Sequence, residues 1–292
     1  MDSAERIRRP AVAGQFYPGS ADRLAETVQG FLTGSPAGDM GDNPVKAMIV
    51  PHAGYQFSGA TAGKTFVTVQ GRGDIKRVVI IAPTHRVPFR GLSVGDFDAF
   101  RTPLGDVPVD KKMCGKLLAG SDYVVDRRDV HENEHALEVQ LPFVQSVLPD
   151  TPIVPIVCGQ IGYHEMKALA ETFSELVESS DTLWVISSDF THFGASFGFV
   201  PFVENVPDRI RELDEGAIDR IRAVDPQGFL EYVERTGATI CGAKPVALML
   251  TLLKNADVSV RVENVDYTSS GEALNDYDHS VSYAGIAVRE VA

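Results

Sequence analysis

Three apolar runs in this chain each lead into a histidine. Met48-Ile49-Val50 continues as Pro51-His52-Ala53-Gly54-Tyr55, Val79-Ile80-Ile81 as Ala82-Pro83-Thr84-His85, and Val185-Ile186-Ser187 as Ser188-Asp189-Phe190-Thr191-His192. A single such histidine is an ordinary loop residue. Three at equivalent positions point to one crevice, because ligands of open α/β sheets bind beyond the carboxyl ends of the strands. Two imidazoles with one anionic ligand and open positions is the pattern of a non-haem metal centre. The anionic ligand is either a carboxylate, with Asp189 the local choice, or a thiolate. Cys241 stands in Thr239-Ile240-Cys241-Gly242-Ala243-Lys244-Pro245, just before an apolar helical stretch at 246–253, and a helix N-terminus favours the thiolate. Cys114 and Cys158 lack ligand-like neighbours and suit small buried hydrophobes. His192 follows Asp189 by three residues, so it is expected to handle protons or anchor a ligand, with Asp189 as its orienter.

A second arrangement competes with this one. His131-Glu132-Asn133-Glu134-His135 has the H-E-x-x-H spacing, in which two histidines one helical turn apart bind zinc and the glutamate acts as base. That chemistry needs all five residues on one helix. The preceding Asp126-Arg127-Arg128-Asp129 is polar and aperiodic, and the stripe Leu137, Leu141, Val144, Leu148 begins only later. The helix is therefore expected to start near Asn133 or Glu134, which leaves His131 outside it. His135 and Glu138, on its first turn, are expected to reach the crevice. His164 and His279 lie in polar or turn-like surroundings and are expected at the surface.

Positioning such a site takes a sheet with helices on both faces. Short β-branched runs at Val45–Val50, 77–82, 152–157 and Thr182–Ser187 alternate with helical stripes, and two more runs, 258–267 and 281–288, lie near the C-terminus. The stripes are Leu24, Val28, Phe31 and Leu32; Leu169, Phe173, Leu176 and Val177; Ile210, Leu213, Ala217, Ile218 and Ile221; and 246–253. Near-continuous apolar strands imply a sheet covered on both sides. A hairpin at 97–109, with turn residues Thr102-Pro103-Leu104-Gly105-Asp106, and the two C-terminal runs make the sheet mixed. The expected fold is one three-layer α/β/α domain over 1–292, with a flexible N-terminus of about 1–8 and a surface loop at 33–44. Lys plus Arg number 27 and Asp plus Glu 40, a net charge of −13, which argues against nucleic-acid binding. No apolar run is long enough for a membrane span, and the charged first ten residues do not form a secretory signal. Three widely spaced cysteines suit a reducing, cytoplasmic setting.

Taken in order, Ala13-Gly14-Gln15-Phe16-Tyr17, Pro51-His52-Ala53-Gly54-Tyr55, Pro83-Thr84-His85, Glu134-His135-Ala136-Leu137-Glu138, Ser187-Ser188-Asp189-Phe190-Thr191-His192, Ile240-Cys241-Gly242 and Ser280-Val281-Ser282-Tyr283-Ala284-Gly285 resemble the motifs of the Memo family. The resemblance runs from about Arg9 to Val288. It implies a fold similar to class III extradiol dioxygenases, non-haem iron enzymes that open catechol rings. It also implies a site for one transition-metal ion on His52, His85 and Cys241, with His192 resembling the dioxygenases' acid/base histidine. Iron is the first expectation; the thiolate in place of their carboxylate extends the choice to copper or zinc. Phe16, a tryptophan in the animal branch, and Tyr55 are implied to line the ligand site. A small-molecule or anionic peptide ligand and a radical SAM protein partner are implied as well. Metal-dependent redox or dioxygenase-like chemistry is the leading expectation. The alternatives are a binding module for phosphate or carboxylate and, more weakly, a zinc-dependent hydrolase. If one ion is shared, the three ligand atoms should lie within about 4 Å of one another.

Overall fold

The computed structural model describes residues 6–34 and 43–291. Among the described residues the main sheet contains nine strands: β1 (Val45–Val50), β2 (Arg77–Pro83), β3 (Leu92–Ser93), β4 (Val124–Val125), β5 (Ile153–Cys158), β6 (Thr182–Ser187), β7 (His192–Gly194), β8 (Val260–Ser269) and β9 (His279–Glu290). Their order is β7-β9-β1-β6-β2-β5-β3-β4, with β8 paired to β9. The central four, β1, β6, β2 and β5, are mutually parallel, and every residue of β1, β5 and β6 is buried. That burial is why these strands read as unbroken apolar runs. Strand β9 runs antiparallel to β1, and β8 antiparallel to β9.

Helices Ala21–Thr33, Tyr55–Val67 and Leu141–Val147 pack together as one layer. The opposite layer is built around Ala243–Asn255, which contacts Tyr163–Ala168, Ala170–Glu178, Pro226–Thr236 and strands β2 and β6. In Ala21–Thr33 the residues Leu24, Val28 and Leu32 recur every fourth position and are all buried. Each contributes about 1.5–3 kcal/mol when fully buried. Helix Tyr55–Val67 carries no such stripe; its buried face is largely Ser58, Gly59, Thr61, Ala62, Gly63 and Thr65. Small residues let it lie close on the sheet, and a Cβ at Gly285 of β9 would overlap the Thr65 hydroxyl. Residue periodicity cannot reveal a helix packed in this way.

The architecture is the expected α/β class with a mixed sheet. Its details depart from expectation in two places. The hairpin forms, Ala99–Thr102 against Gly105–Pro108, but it joins Ile7–Arg8 in a separate three-stranded sheet. The N-terminus is not loose up to residue 8: Ile7–Arg8 pairs in parallel with Ala99–Phe100, and the Arg8 side chain is buried. Residues 1–5 and most of the loop expected at 33–44 lie outside the described residues. No helix among the described residues is long and apolar enough to cross a membrane.

Candidate metal centre

Because β1, β2 and β6 are parallel, their carboxyl ends share one edge, and the residues just beyond them meet there. His52, His85 and Cys241 each offer one ligand atom, and these atoms all lie within 4.8 Å of one another. The Cys241 Sγ is 3.1 Å from His52 Nε2. The spread is slightly wider than the roughly 4 Å expected of ligands on one ion. His52 is buried, Cys241 half-buried, and His85 open to solvent.

Hydrogen bonding decides which nitrogen each ring presents. Ser187 Oγ donates its one proton to the Ala136 carbonyl at 2.6 Å and accepts from Gln140 Nε2 at 3.0 Å. Its 2.9 Å contact with His52 Nδ1 must therefore be donated by the imidazole, which leaves His52 Nε2 as an acceptor beside Cys241 Sγ. His85 Nδ1 donates to Glu134 Oε1 at 2.9 Å, and the His85 backbone N–H donates to Glu134 Oε2 at 2.6 Å. Burial opposes ionisation of Glu134, but its hydrogen bond to His85 and its other donors bring its carboxyl net below the usual range. His192 Nδ1 faces two carbonyls, Phe190 O and Thr239 O, each at 2.9 Å. All three rings are thus Nδ1–H tautomers with Nε2 free to bind or to take a proton. Burial, then the neighbouring His85, His135 and His192, push His52 well below its ordinary pKa, so it is neutral at pH 7.

The donor set suits a transition-metal ion: two imidazoles held from behind through Nδ1, and one sulfur. One expectation reverses. Burial, then the Asp189 carboxylate, push the Cys241 thiol up, so the helix start does not by itself make a thiolate. The start of that helix is instead shaped for close approach. Gly242 N–H donates to Ser188 Oγ, and a Cβ on Gly242 would overlap the Ser188 side chain. The Asp189 N–H also donates to Cys241 Sγ at 3.2 Å.

Other expected site residues are placed differently. Asp189 does not orient His192; its Oδ1 accepts the His52 backbone N–H at 2.7 Å, and its Oδ2 borders the triad 3.9 Å from His52 Nε2. Glu138 does not face the crevice. It is fully buried, paired with Arg8, and accepts from the Ala11 and Val12 N–H groups and from Tyr17 OH at 2.8, 3.0 and 2.5 Å. Tyr55 is largely buried, its hydroxyl donating to Val139 O at 2.7 Å, and it lines a groove beside Phe16. His135 does reach the site, its ring centroid 4.7 Å from His85 and 5.5 Å from His52. Phe16 packs on His135 at 4.8 Å and lines a groove of about 600 Å³ with Phe31, Arg23 and Gln56.

His131 is elsewhere. Asn133 separates helix Asp129–Glu132 from His135–Glu138, whose N-cap is Glu134. His131 packs against Phe97 and Phe100, with Nε2 3.1 Å from Ser93 O, and burial pushes its pKa down to about 3. His279 is exposed as expected, but it stacks on Phe197, which in turn packs 5.1 Å from His192. The reading of residues missed Gln140 and Thr239 as supports and the orienting roles of Ser187 and Glu134. A polar residue closing an otherwise apolar strand was the available signal for Ser187.

Comparison with known proteins gives the family of the chain. The Memo-like protein family model matches residues 8–287. A MEMO1 family protein of Pyrococcus furiosus is 35% identical over 297 residues, covering 97% of this chain and 99% of that one. The Protein memo-1 homolog of Caenorhabditis elegans is 34% identical, covering 96% of this chain and 82% of the relative. Protein MEMO1 of Xenopus laevis is 30% identical across 99% of both chains. On a match spanning nearly the whole chain, this protein belongs to the Memo-like family.

Proposed function

We propose that the chain holds one transition-metal ion on His52, His85 and Cys241, iron first and copper or zinc as alternatives, and uses it for redox or dioxygenase-like chemistry on a small ligand in the cytoplasm. The observation that carries this reading is that both imidazoles donate from Nδ1, which leaves Nε2 as the ligand atom on each ring, with one sulfur close by. A bound iron or copper ion would supply one-electron chemistry and an open position for a ligand. The chain's own residues do the rest. Exposed His85 marks the side from which a ligand enters, and Phe16 against His135 forms an apolar wall beside it. Nε2 of His192 is the atom that takes or returns a proton, because its Nδ1–H is already given to two carbonyls. The reading as an anion-binding module has less support, since bare Nε2 atoms are acceptors and His52 resists protonation.

The test is elemental analysis of protein purified without added metal and with oxygen excluded. About one ion per chain is expected. His52→Ala and Cys241→Ser should lose it, while His131→Ala keeps it. His192→Ala should retain metal but lose ligand affinity or oxygen uptake with candidate substrates. A wild-type protein that emerges metal-free and binds none on addition overturns the reading; loss of metal in His192→Ala would make His192 a ligand.

A further inference from the structure

Two segments distant in sequence are stitched together beside the metal triad. One segment runs from the end of β6 into β7 and carries Asp189 and His192; the other carries Thr239 and Cys241, with buried Ile240 between them. Thr239 Oγ1 accepts the His192 backbone N–H at 2.8 Å and donates to the His192 carbonyl at 2.8 Å. The Thr239 carbonyl takes the ring Nδ1–H of the same residue at 2.9 Å. Two residues on, Cys241 Sγ accepts the Asp189 N–H. One hydroxyl therefore grips both backbone polar groups of residue 192, and the adjoining carbonyl grips its ring.

We propose that Thr239 is the positioning residue of the proton carrier: it holds His192 in a single tautomer and rotamer and ties it to the segment that presents Cys241. The inference rests on the reading that His192 moves a proton. A hydroxyl that accepts from and donates to one residue needs a side chain whose oxygen sits on Cβ, as in threonine and serine. Valine keeps the shape and loses both bonds. His192 then shifts off the two carbonyls, and Nδ1 and Nε2 compete for the proton.

The experiment is nitrogen-detected NMR of the histidine rings in protein labelled with 15N-histidine, read with and without added zinc, with His192 assigned by its absence in His192→Gln. Wild type should show His192 as a single Nδ1–H tautomer. Thr239→Val should show averaged tautomers at unchanged zinc stoichiometry, and Thr239→Ser should restore the single form. A merely structural threonine would lower Tm and leave the tautomer alone. A folded Thr239→Val with the wild-type tautomer overturns the proposal, as does a folded Thr239→Ser that fails to restore it. Thr239→Ala serves as a second variant; if it and Thr239→Val both fail to fold while Thr239→Ser folds, the role is structural and the proposal is wrong. The readout needs neither substrate nor turnover. Failure of the proton-transfer reading would appear instead as a fully active His192→Ala.

Discussion

At the scale of single residues, the candidate site depends on groups one step behind the proposed ligands. Ser187 is the clearest case, because its hydroxyl proton goes to Ala136 O and this forces His52 to donate from Nδ1. Ser187→Ala removes that acceptor, and the ring is then free to rotate or to place its proton on Nε2. Loss of such an orienting partner typically lowers metal affinity by about 10–100-fold. Titration of the purified variant against a competing chelator should show that drop with little change in Tm. Glu134→Gln should act in the same direction through His85, since an amide oxygen is a weaker acceptor than the carboxylate.

At the scale of elements, the N-terminal segment is a brace rather than a tail. Glu138, on the short helix that carries His135, receives Arg8, two backbone N–H groups near the start of the described chain, and Tyr17. Arg8 also donates to the carbonyls of His131 and Glu134. With both charges dry, removal of one leaves the other uncompensated. Glu138→Ala is therefore expected to cost about 3–5 kcal/mol, read as a fall in the urea midpoint. Because the same helix holds His135 against His85, the variant should also disturb the site from behind. An unchanged midpoint would mean that Arg8 finds solvent easily and that the brace is dispensable.

At the scale of the whole molecule, acid stability follows from buried neutral imidazoles. His52, His131 and His135 are all pushed below their ordinary values, mainly by burial, His135 to about 4 and His131 to about 3. The unfolded chain takes up these protons near pH 6.5 and the folded chain does not, so their stabilisation is complete above about 6.5 and drains as pH falls. Each such histidine steepens the loss by about 1.4 kcal/mol per pH unit until its folded value is reached. Carboxyl groups held low, Glu134 among them, extend the decline below about 4.5. His131 separates this effect from metal binding because it lies outside the triad. His131→Leu should flatten the dependence of Tm on pH between about 6.5 and 4 relative to wild type. Parallel curves for the two proteins would contradict the assignment.

What the sequence alone determined was local: which runs become buried strands, that histidines stand just past three strand ends, and that the helix after Asn133 excludes His131. These follow from short-range periodicity and capping, which act over a few residues. The family motifs added the triad itself. Tertiary structure decided the rest, because the deciding contacts join residues far apart in the chain. Ser187 meets Ala136, Glu138 meets Arg8, and Thr239 meets His192 only after folding. The same distance explains the misplaced roles of Asp189 and Glu138: their types suited a site, and packing gave their polar atoms other partners. The protonation state of Cys241 was likewise not local. A helix start argued for a thiolate, and burial beside Asp189, a property of the fold, argued more strongly against it.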